Sequence, residues 1–175
     1  MEKFYIGVDN GVTGSCGILS DKGRRAWFKM PVRKELSYTK TKKFIHRVDF
    51  AALIHTLNDI VPPDADITCR IERPMVNPGR FNATLSAMRA LEAVQIVLES
   101  RRIPYGFIDS KEWQKVMLPV GLKGSDELKA AADCVCRRLF PDMRICAGGG
   151  DSLMIAQYLK NKKGELCGLS RSHSC

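Results

Sequence analysis

The chain has 175 residues, the length of one domain with a sizeable buried core, which argues against two-domain kinase or ATPase architectures. Its 28 lysines and arginines outnumber 19 aspartates and glutamates, giving a formal charge of +9 and a pI near 9.3, so a polyanionic partner is expected. Seven cysteines, an odd number with no apolar leader ahead of them, argue against a disulfide-built secreted fold, and no apolar run approaches the ~20 residues of a membrane span.

Phe4-Tyr5-Ile6-Gly7-Val8-Asp9 is an apolar run that ends in an acid, meets the turn formers Asn10-Gly11 and precedes a second apolar run, Cys16-Gly17-Ile18-Leu19. Strands are predicted over 4–9 and 16–19. A third, over 25–30, follows the turn at Asp21-Lys22-Gly23 and stops at Pro31, completing an antiparallel meander. The charge excess is concentrated next to it: ten basic residues fall within 22–47 with Glu35 as the one acid, which leaves the rest of the chain formally neutral. Such a segment is either a solvated basic loop or a surface that tracks phosphates, with Lys40, Lys42 and Lys43 as candidate contacts.

From Asp49, the residues Phe50, Leu53, Ile54, Leu57 and Ile60 keep helical spacing until Pro62-Pro63. Ile67-Thr68-Cys69-Arg70-Ile71-Glu72 alternates as a fourth strand and again ends in an acid. Leu85, Met88, Leu91, Val94 and Leu98 predict a long helix over 84–101, and a fifth strand follows over 104–108. A short helix over 111–116, a helix over 125–139 with Ser125 as its N-cap, and a last helix opening at Asp151 complete the pattern. Residues 1–160 form the expected domain, and the polar 161–175 a flexible tail. Cys134 and Cys136 fall in a helix with no second pair at zinc-finger spacing, so the cysteines are expected to be reduced and mostly core-filling. The fold class is α/β: a mixed five-stranded sheet, three strands antiparallel plus two parallel, with helices on both faces.

Three acids are placed unusually for surface residues. Asp9 and Glu72 end strands, and Asp151 opens an apolar helix after Gly148-Gly149-Gly150. Each has an ordinary alternative: Asp9 as a turn former, Glu72 as a partner of Arg70 or Arg73, Asp151 as a helix cap. If the first and fourth strands are neighbours, however, the three converge. Clustered carboxylates repel unless a proton or cation joins them. Hard oxygens suit Mg²⁺, or Mn²⁺, with positions left for phosphate oxygens and water, the arrangement used in phosphodiester cleavage.

Ile6-Gly7-Val8-Asp9-Asn10-Gly11-Val12-Thr13-Gly14 resembles the first-strand motif of the RuvC family of Holliday junction resolvases, which have an RNase H-like fold. Ile71-Glu72-Arg73-Pro74 resembles the fourth-strand glutamate motif, especially in the branch that includes plant chloroplast resolvases. Asp109-Ser110-Lys111-Glu112-Trp113-Gln114-Lys115 is similar to that branch's Trp-Lys region, Leu139-Phe140-Pro141 to its Leu-Phe-Pro, and Gly150-Asp151-Ser152-Leu153-Met154-Ile155-Ala156-Gln157-Tyr158 to the closing helix. The matches run in family order from about residue 4 to residue 160.

The resemblance implies a homodimeric, Mg²⁺-dependent endonuclease that nicks two strands of a four-way DNA junction symmetrically, in recombination and repair. Asp9, Glu72 and Asp151 are then the catalytic metal ligands. Lys115 and Lys123 fall near positions where relatives place lysines close to the scissile phosphate. Arg73, Asn77, Arg80 and Phe81 occupy the segment that relatives insert near the junction centre, where Phe81 or Met75 would replace lost base stacking. The helix over 84–101 is a candidate for part of the dimer interface, with ordinary core packing as the alternative. Two positions depart from the family pattern: Asn10 replaces a frequent proline, and Gly148 stands where many members carry a fourth acid or a histidine, so that either Asp126, Asp133 or Asp142 supplies that contact or one metal is held more loosely. The expected compartment is the cytoplasm, nucleoid-associated in a cell or the host's for a viral protein, with an organelle as the alternative. Competing readings are a nuclease of this fold acting on flaps, hybrids or RNA, a non-catalytic binder of branched DNA, and an actin-like ATP-binding protein.

Overall fold

The computed structural model of the chain describes residues 1–38, 40, 42–146 and 148–169, the last seven of these as backbone alone. Its elements are β1 (Lys3–Asp9), β2 (Ser15–Ser20), β3 (Arg25–Lys29), β4 (Val32–Leu36), β5 (Phe44–Val48), α1 (Phe50–Ile60), β6 (Asp66–Glu72), α2 (Phe81–Ser100), β7 (Tyr105–Ile108), α3 (Ser110–Met117), α4 (Ser125–Leu139) and α5 (Gly150–Leu169). The five-stranded sheet has the order β3-β2-β1-β6-β7, with β2 antiparallel to its neighbours and β1, β6 and β7 mutually parallel.

Strand alternation sorts the core into two layers. Phe4, Ile6 and Val8 of β1, with Cys16 and Ile18 of β2, pack against Leu53 and Leu57 of α1 and against Leu91, Val94 and Leu98 of α2. Tyr5 and Leu19 point the other way, toward Trp113 of α3, Cys136 of α4 and the fully buried run Leu153–Ala156 of α5. Helices therefore cover both faces, as the sequence pattern predicts.

Helix α5 touches the sheet through backbone. Gly7 and Gly17 are register partners on β1 and β2. A Cβ added at Gly17 would lie 2.6 Å from the amide nitrogen of Leu153, and one at Gly7 would lie 2.7 Å from that of Ala156 while also meeting the Ser152 carbonyl oxygen. Ser15 adds a hydrogen bond of 2.8 Å between its hydroxyl and that of Ser152, both buried. The helix has no room for any side chain at these two positions.

Three sequence expectations are corrected. The basic segment takes in β3, and its larger part, from Val32 on, is a β4–β5 hairpin, with a two-stranded antiparallel sheet in place of a loop. Its solvated strands carry charge on both faces, which blurs the alternation that marks the other strands. Its base is closed where the Asp49 amide donates to the Pro31 carbonyl at 2.8 Å. Ser125 is the first residue of α4 and Gly124 holds the cap position, the Ser125 hydroxyl being directed to Asp126 instead. Helix α2 opens one turn earlier than its apolar pattern, after a 3₁₀ turn at Pro78–Arg80 closed by Asn77, whose Oδ1 accepts from the Gly79 amide.

Other boundaries agree with the sequence within a residue or two, including the Asp49 cap of α1, whose Oδ1 accepts from Ala52 at 3.1 Å. The backbone of 161–169, assigned from sequence to the tail, is helical, and 170–175 lie outside the described residues. Cys16, Cys69 and Cys136 are buried thiols, whereas Cys134 and Cys146 are exposed and fill no core. Among the described residues no helix is long and apolar enough to cross a membrane.

The glycine contact gives a direct test. Gly17→Ala forces α5 away from β2 and lowers stability by about 1–3 kcal/mol or more, which at roughly 2–4 °C per kcal/mol is a fall in Tm of several degrees. Gly79→Ala, where the backbone is not left-handed and an added Cβ meets only the Asn77 side chain at 3.3 Å, is the control for a glycine outside the contact, and the smaller loss belongs there. Thermal unfolding by circular dichroism measures both.

Candidate active site

The parallel pairing of β1 with β6 matches Val8 to Ile71, so the next residues, Asp9 and Glu72, leave the sheet side by side at its carboxyl edge. Helix α5 brings Asp151 to the same edge in its first turn. Burial and the charges of Glu72 and Asp151 raise the Asp9 carboxyl to about 7. Burial, Glu72 and Asp133 raise Asp151 to about 6. The cation that opposes both shifts is Lys129 of α4.

Each acid is held by its surroundings. The fully buried Trp113 donates its indole Nε1–H to Glu72 Oε1 at 3.3 Å. The loop before Asp151 is pinned from two sides: Trp27 donates its indole N–H to the Gly149 carbonyl at 2.7 Å, and the Gly148 amide donates to both carboxylate oxygens of Asp133, at 3.0 and 3.2 Å. Gly148 has a φ of +74°, a conformation that suits glycine. The turn after β1 is tied to α2, where Asn10 Nδ2 donates to the Ala87 carbonyl at 3.1 Å while its buried Oδ1 has no partner among the described residues.

A cleft of about 340 Å³ opens beside the strand ends, lined by Asp9, Asn10, Glu72, Arg73, Pro74, Met75, Asn77, Arg80, Ala83, Thr84, Ala87 and Ser110. Arg73 pairs with Asp109 at 3.1 Å and lies over the Phe107 ring. Phe81, at the start of α2, is 69% exposed and Met75 is 82% exposed, so neither packs beneath its own loop. Asp151 acts on this cleft electrostatically from the α5 side and is not part of its lining.

Among the described residues no group of three or more His, Cys, Asp and Glu side chains is spaced to hold a metal ion by itself. The donor set nevertheless fits Mg²⁺, which is usually held by one or two carboxylates together with waters and substrate phosphates, seldom by an all-protein cage. Carboxyl groups whose ionisation is opposed by burial and by mutual repulsion, and an orphaned amide oxygen beside them, are groups that a hard cation would satisfy.

The remaining sequence candidates are dispersed. Lys115 lines a separate groove between α3 and the following loop, and Lys123 lies in that loop, its amide donating to Glu127. Neither borders the carboxylate cleft. Lys40, Lys42 and Lys43 are exposed at the far end of the hairpin. Of the three acids considered as a replacement for the one missing at Gly148, Asp133 is the one whose charge Asp151 senses. Sequence reasoning passes over Lys129, Trp113 as the orienter of Glu72, and the bridge from Asn10 to α2. The spacing of Lys129, Ala132, Asp133 and Cys136 is the only sequence signal for the first, since it marks one face of α4.

A mixed sheet in this order, with helices on both faces and acids at the ends of its two central parallel strands, is the RNase H-like α/β fold. Within that class the chain has the RuvC-like form. It is similar to RuvC of Thermus thermophilus in complex with its Holliday junction substrate, with a TM-score of 0.54 and 13% identity, covering 90% of this chain and 92% of that one. A second Thermus thermophilus RuvC structure gives a TM-score of 0.52 at the same identity and coverage. No family model and no curated protein matches the sequence.

The raised carboxyls set a pH dependence. A group whose folded pKa lies above its unfolded value gives stability that is present at low pH and lost as pH rises through the folded value. In chelator-containing buffer, stability therefore falls between about pH 4 and pH 7, and ionised Asp9 costs folding on the order of 4 kcal/mol at pH 8. Asp9→Asn should flatten that slope and unfold at a higher temperature than wild type at pH 8. A variant less stable than wild type there would show that ionised Asp9 is not a cost to folding.

Proposed function

We propose that the protein is a metal-dependent endonuclease acting on four-way DNA junctions. The observation that carries this reading is the meeting of Asp9, Glu72 and Asp151 at one sheet edge, with two of the three carboxyls raised by burial and mutual repulsion, in a chain of RuvC-like fold. In this proposal the three acids hold Mg²⁺, for which Mn²⁺ would substitute. When bound, the cation lowers the pKa of a water and stabilises the leaving oxygen. Trp113 fixes the rotamer of Glu72, and Asp133, Trp27 and Ser15 fix the first turn of α5, so the acids do not have to be positioned at the moment of reaction. Lys129 moderates their charge.

Arg73 and Arg80 rim the cleft and are assigned to the backbone of the cut strand, with Asn77 shaping the turn that presents Arg80. Phe81 and Met75, both exposed at the mouth, are assigned to the junction centre as stacking wedges. Lys115 and Lys123, on the α3–α4 side, and Lys40, Lys42 and Lys43 on the hairpin are assigned to substrate backbone outside the carboxylate cleft. Dimerisation belongs to the same proposal, because a two-fold substrate is matched by two copies of one site. Helix α2 supports it: Ala90, Leu91, Val94, Val97 and Leu98 face the core, while Met88 and Ile96 remain exposed.

Asp9→Asn and Glu72→Gln should each retain junction binding while losing Mg²⁺-dependent cleavage by about a hundredfold or more, since several kcal/mol of transition-state stabilisation leave with the cation. A gel assay of four-way junction, flap, RNA–DNA hybrid and linear duplex, with and without Mg²⁺, reads both the loss and the substrate preference. Normal junction cutting by either variant would end the assignment.

Replacing Lys40, Lys42 and Lys43 together by alanine should weaken junction binding and lower the slope of log K against log salt by about 0.9 for each phosphate contact removed. An unchanged slope in a titration series would remove the hairpin from the DNA path.

A further inference from the structure

Helix α2 separates two concave surfaces. Ala83, Thr84 and Ala87 face the carboxylate cleft, whereas Leu85, Ser86 and Arg89 face a second groove of about 440 Å³ whose other wall is the β4–β5 hairpin. Val12, in the turn that carries Asn10, borders that groove and so joins it to the active-site edge. The hairpin contributes Tyr38, Lys43 and Phe44, and among the described residues no carboxylate lines the groove. Tyr38 is 80% and Phe44 62% exposed. The Lys34 ammonium lies 4.6 Å from the Phe44 ring centroid, and Glu35, the one acid of the segment, is taken up by Arg33 and Arg47.

We propose that this groove binds an unpaired stretch of DNA strand, with bases stacked on Tyr38 and Phe44 and phosphates met by Lys43 and Arg89. This inference rests on the DNA-cleaving function proposed above and gives that substrate a second point of contact. Exposed aromatic rings interleaved with cations are the chemistry by which single strands are held, because every base has a face to stack and every linkage a charge to neutralise. The size agrees: clefts of roughly 300–1,000 Å³ take small organic ligands, so this one has room for a nucleotide or two and not for a duplex flank. The charge agrees as well, since residues 32–48, which form the hairpin, carry six lysines and arginines against the single acid Glu35.

The test is an anisotropy titration of fluorescein-labelled oligodeoxythymidine, with a fully paired duplex of equal length alongside, into the full chain in chelator-containing buffer. Tyr38→Ala and Phe44→Ala should each weaken oligothymidine binding roughly tenfold while leaving duplex binding within twofold, and Phe44→Trp should restore it. Circular dichroism verifies that each variant is folded. Oligothymidine binding indifferent to both alanines, or displacement of the oligomer by polyglutamate at equal charge, would overturn the groove assignment even in a protein that cuts junctions. Binding that follows the aromatics in a protein that cuts no branched DNA would leave the groove in place and remove the function proposed above.

Discussion

The structure depends on one contact, the seating of α5 on bare backbone at Gly7 and Gly17. Because these two residues are register partners, the absence of two Cβ atoms opens a single gap across β1 and β2, and the helix backbone at Ser152, Leu153 and Ala156 fills it. A helix that close has little freedom to slide. Asp9 lies two residues beyond Gly7 and pairs with Ser15, whose hydroxyl meets that of Ser152, the residue next to Asp151. The contact that excludes side chains from the interface is thus also the one that sets where two acids stand relative to each other. Leu153, Met154, Ile155 and Ala156, all fully buried, make the seating energetically favourable as well as geometrically tight.

Such rigidity has an electrostatic consequence. Flexible carboxylates would part and hydrate; here Asp9 and Asp151 are half-buried on stiff elements and can relieve their repulsion only by taking up protons or a cation. The surrounding groups sharpen the condition without removing it. Trp113 offers Glu72 a single hydrogen bond, Asp133 adds negative charge near Asp151 while gripping Gly148, and Lys129 offsets part of the total. Folding energy from the two apolar layers is set against a locally unfavourable charge cluster.

The main sheet and its acids were legible because each is written in local sequence: apolar runs ending in Asp9 and Glu72, and an apolar helix opening beside Asp151. What could not be read was whatever depends on contacts between distant segments. Ser125 looks like a cap, yet the chain turns one residue earlier, at Gly124. Val32–Leu36 and Phe44–Val48 form strands, yet exposed on both faces they lack the one-sided apolar pattern that a buried sheet imposes. Lys129 and Trp113 are ordinary helix residues until α4 and α3 fold over the strand ends. The glycines at 7 and 17 stand visibly in the sequence, but their purpose appears only when a helix from more than a hundred residues later lies upon them.

The hairpin gives the chain's charge a separate location from its chemistry. It leaves the sheet after β3 and returns at α1 with its two ends joined through Pro31 and Asp49, so strand pairing within it is self-contained and its outer contacts fall on α2. Around the carboxylates, by contrast, Arg73 is already engaged by Asp109 and Phe107, and Lys129 by the acids themselves. Under the proposed function, attraction for a polyanion and activation of a bond within it fall largely on different pieces of backbone that meet across α2. A change in the hairpin can alter what is held, and how tightly in a given salt, without disturbing β1, β6 or the seat of α5. A change at Gly7 or Gly17 does the reverse, displacing the acids while the basic surface remains intact.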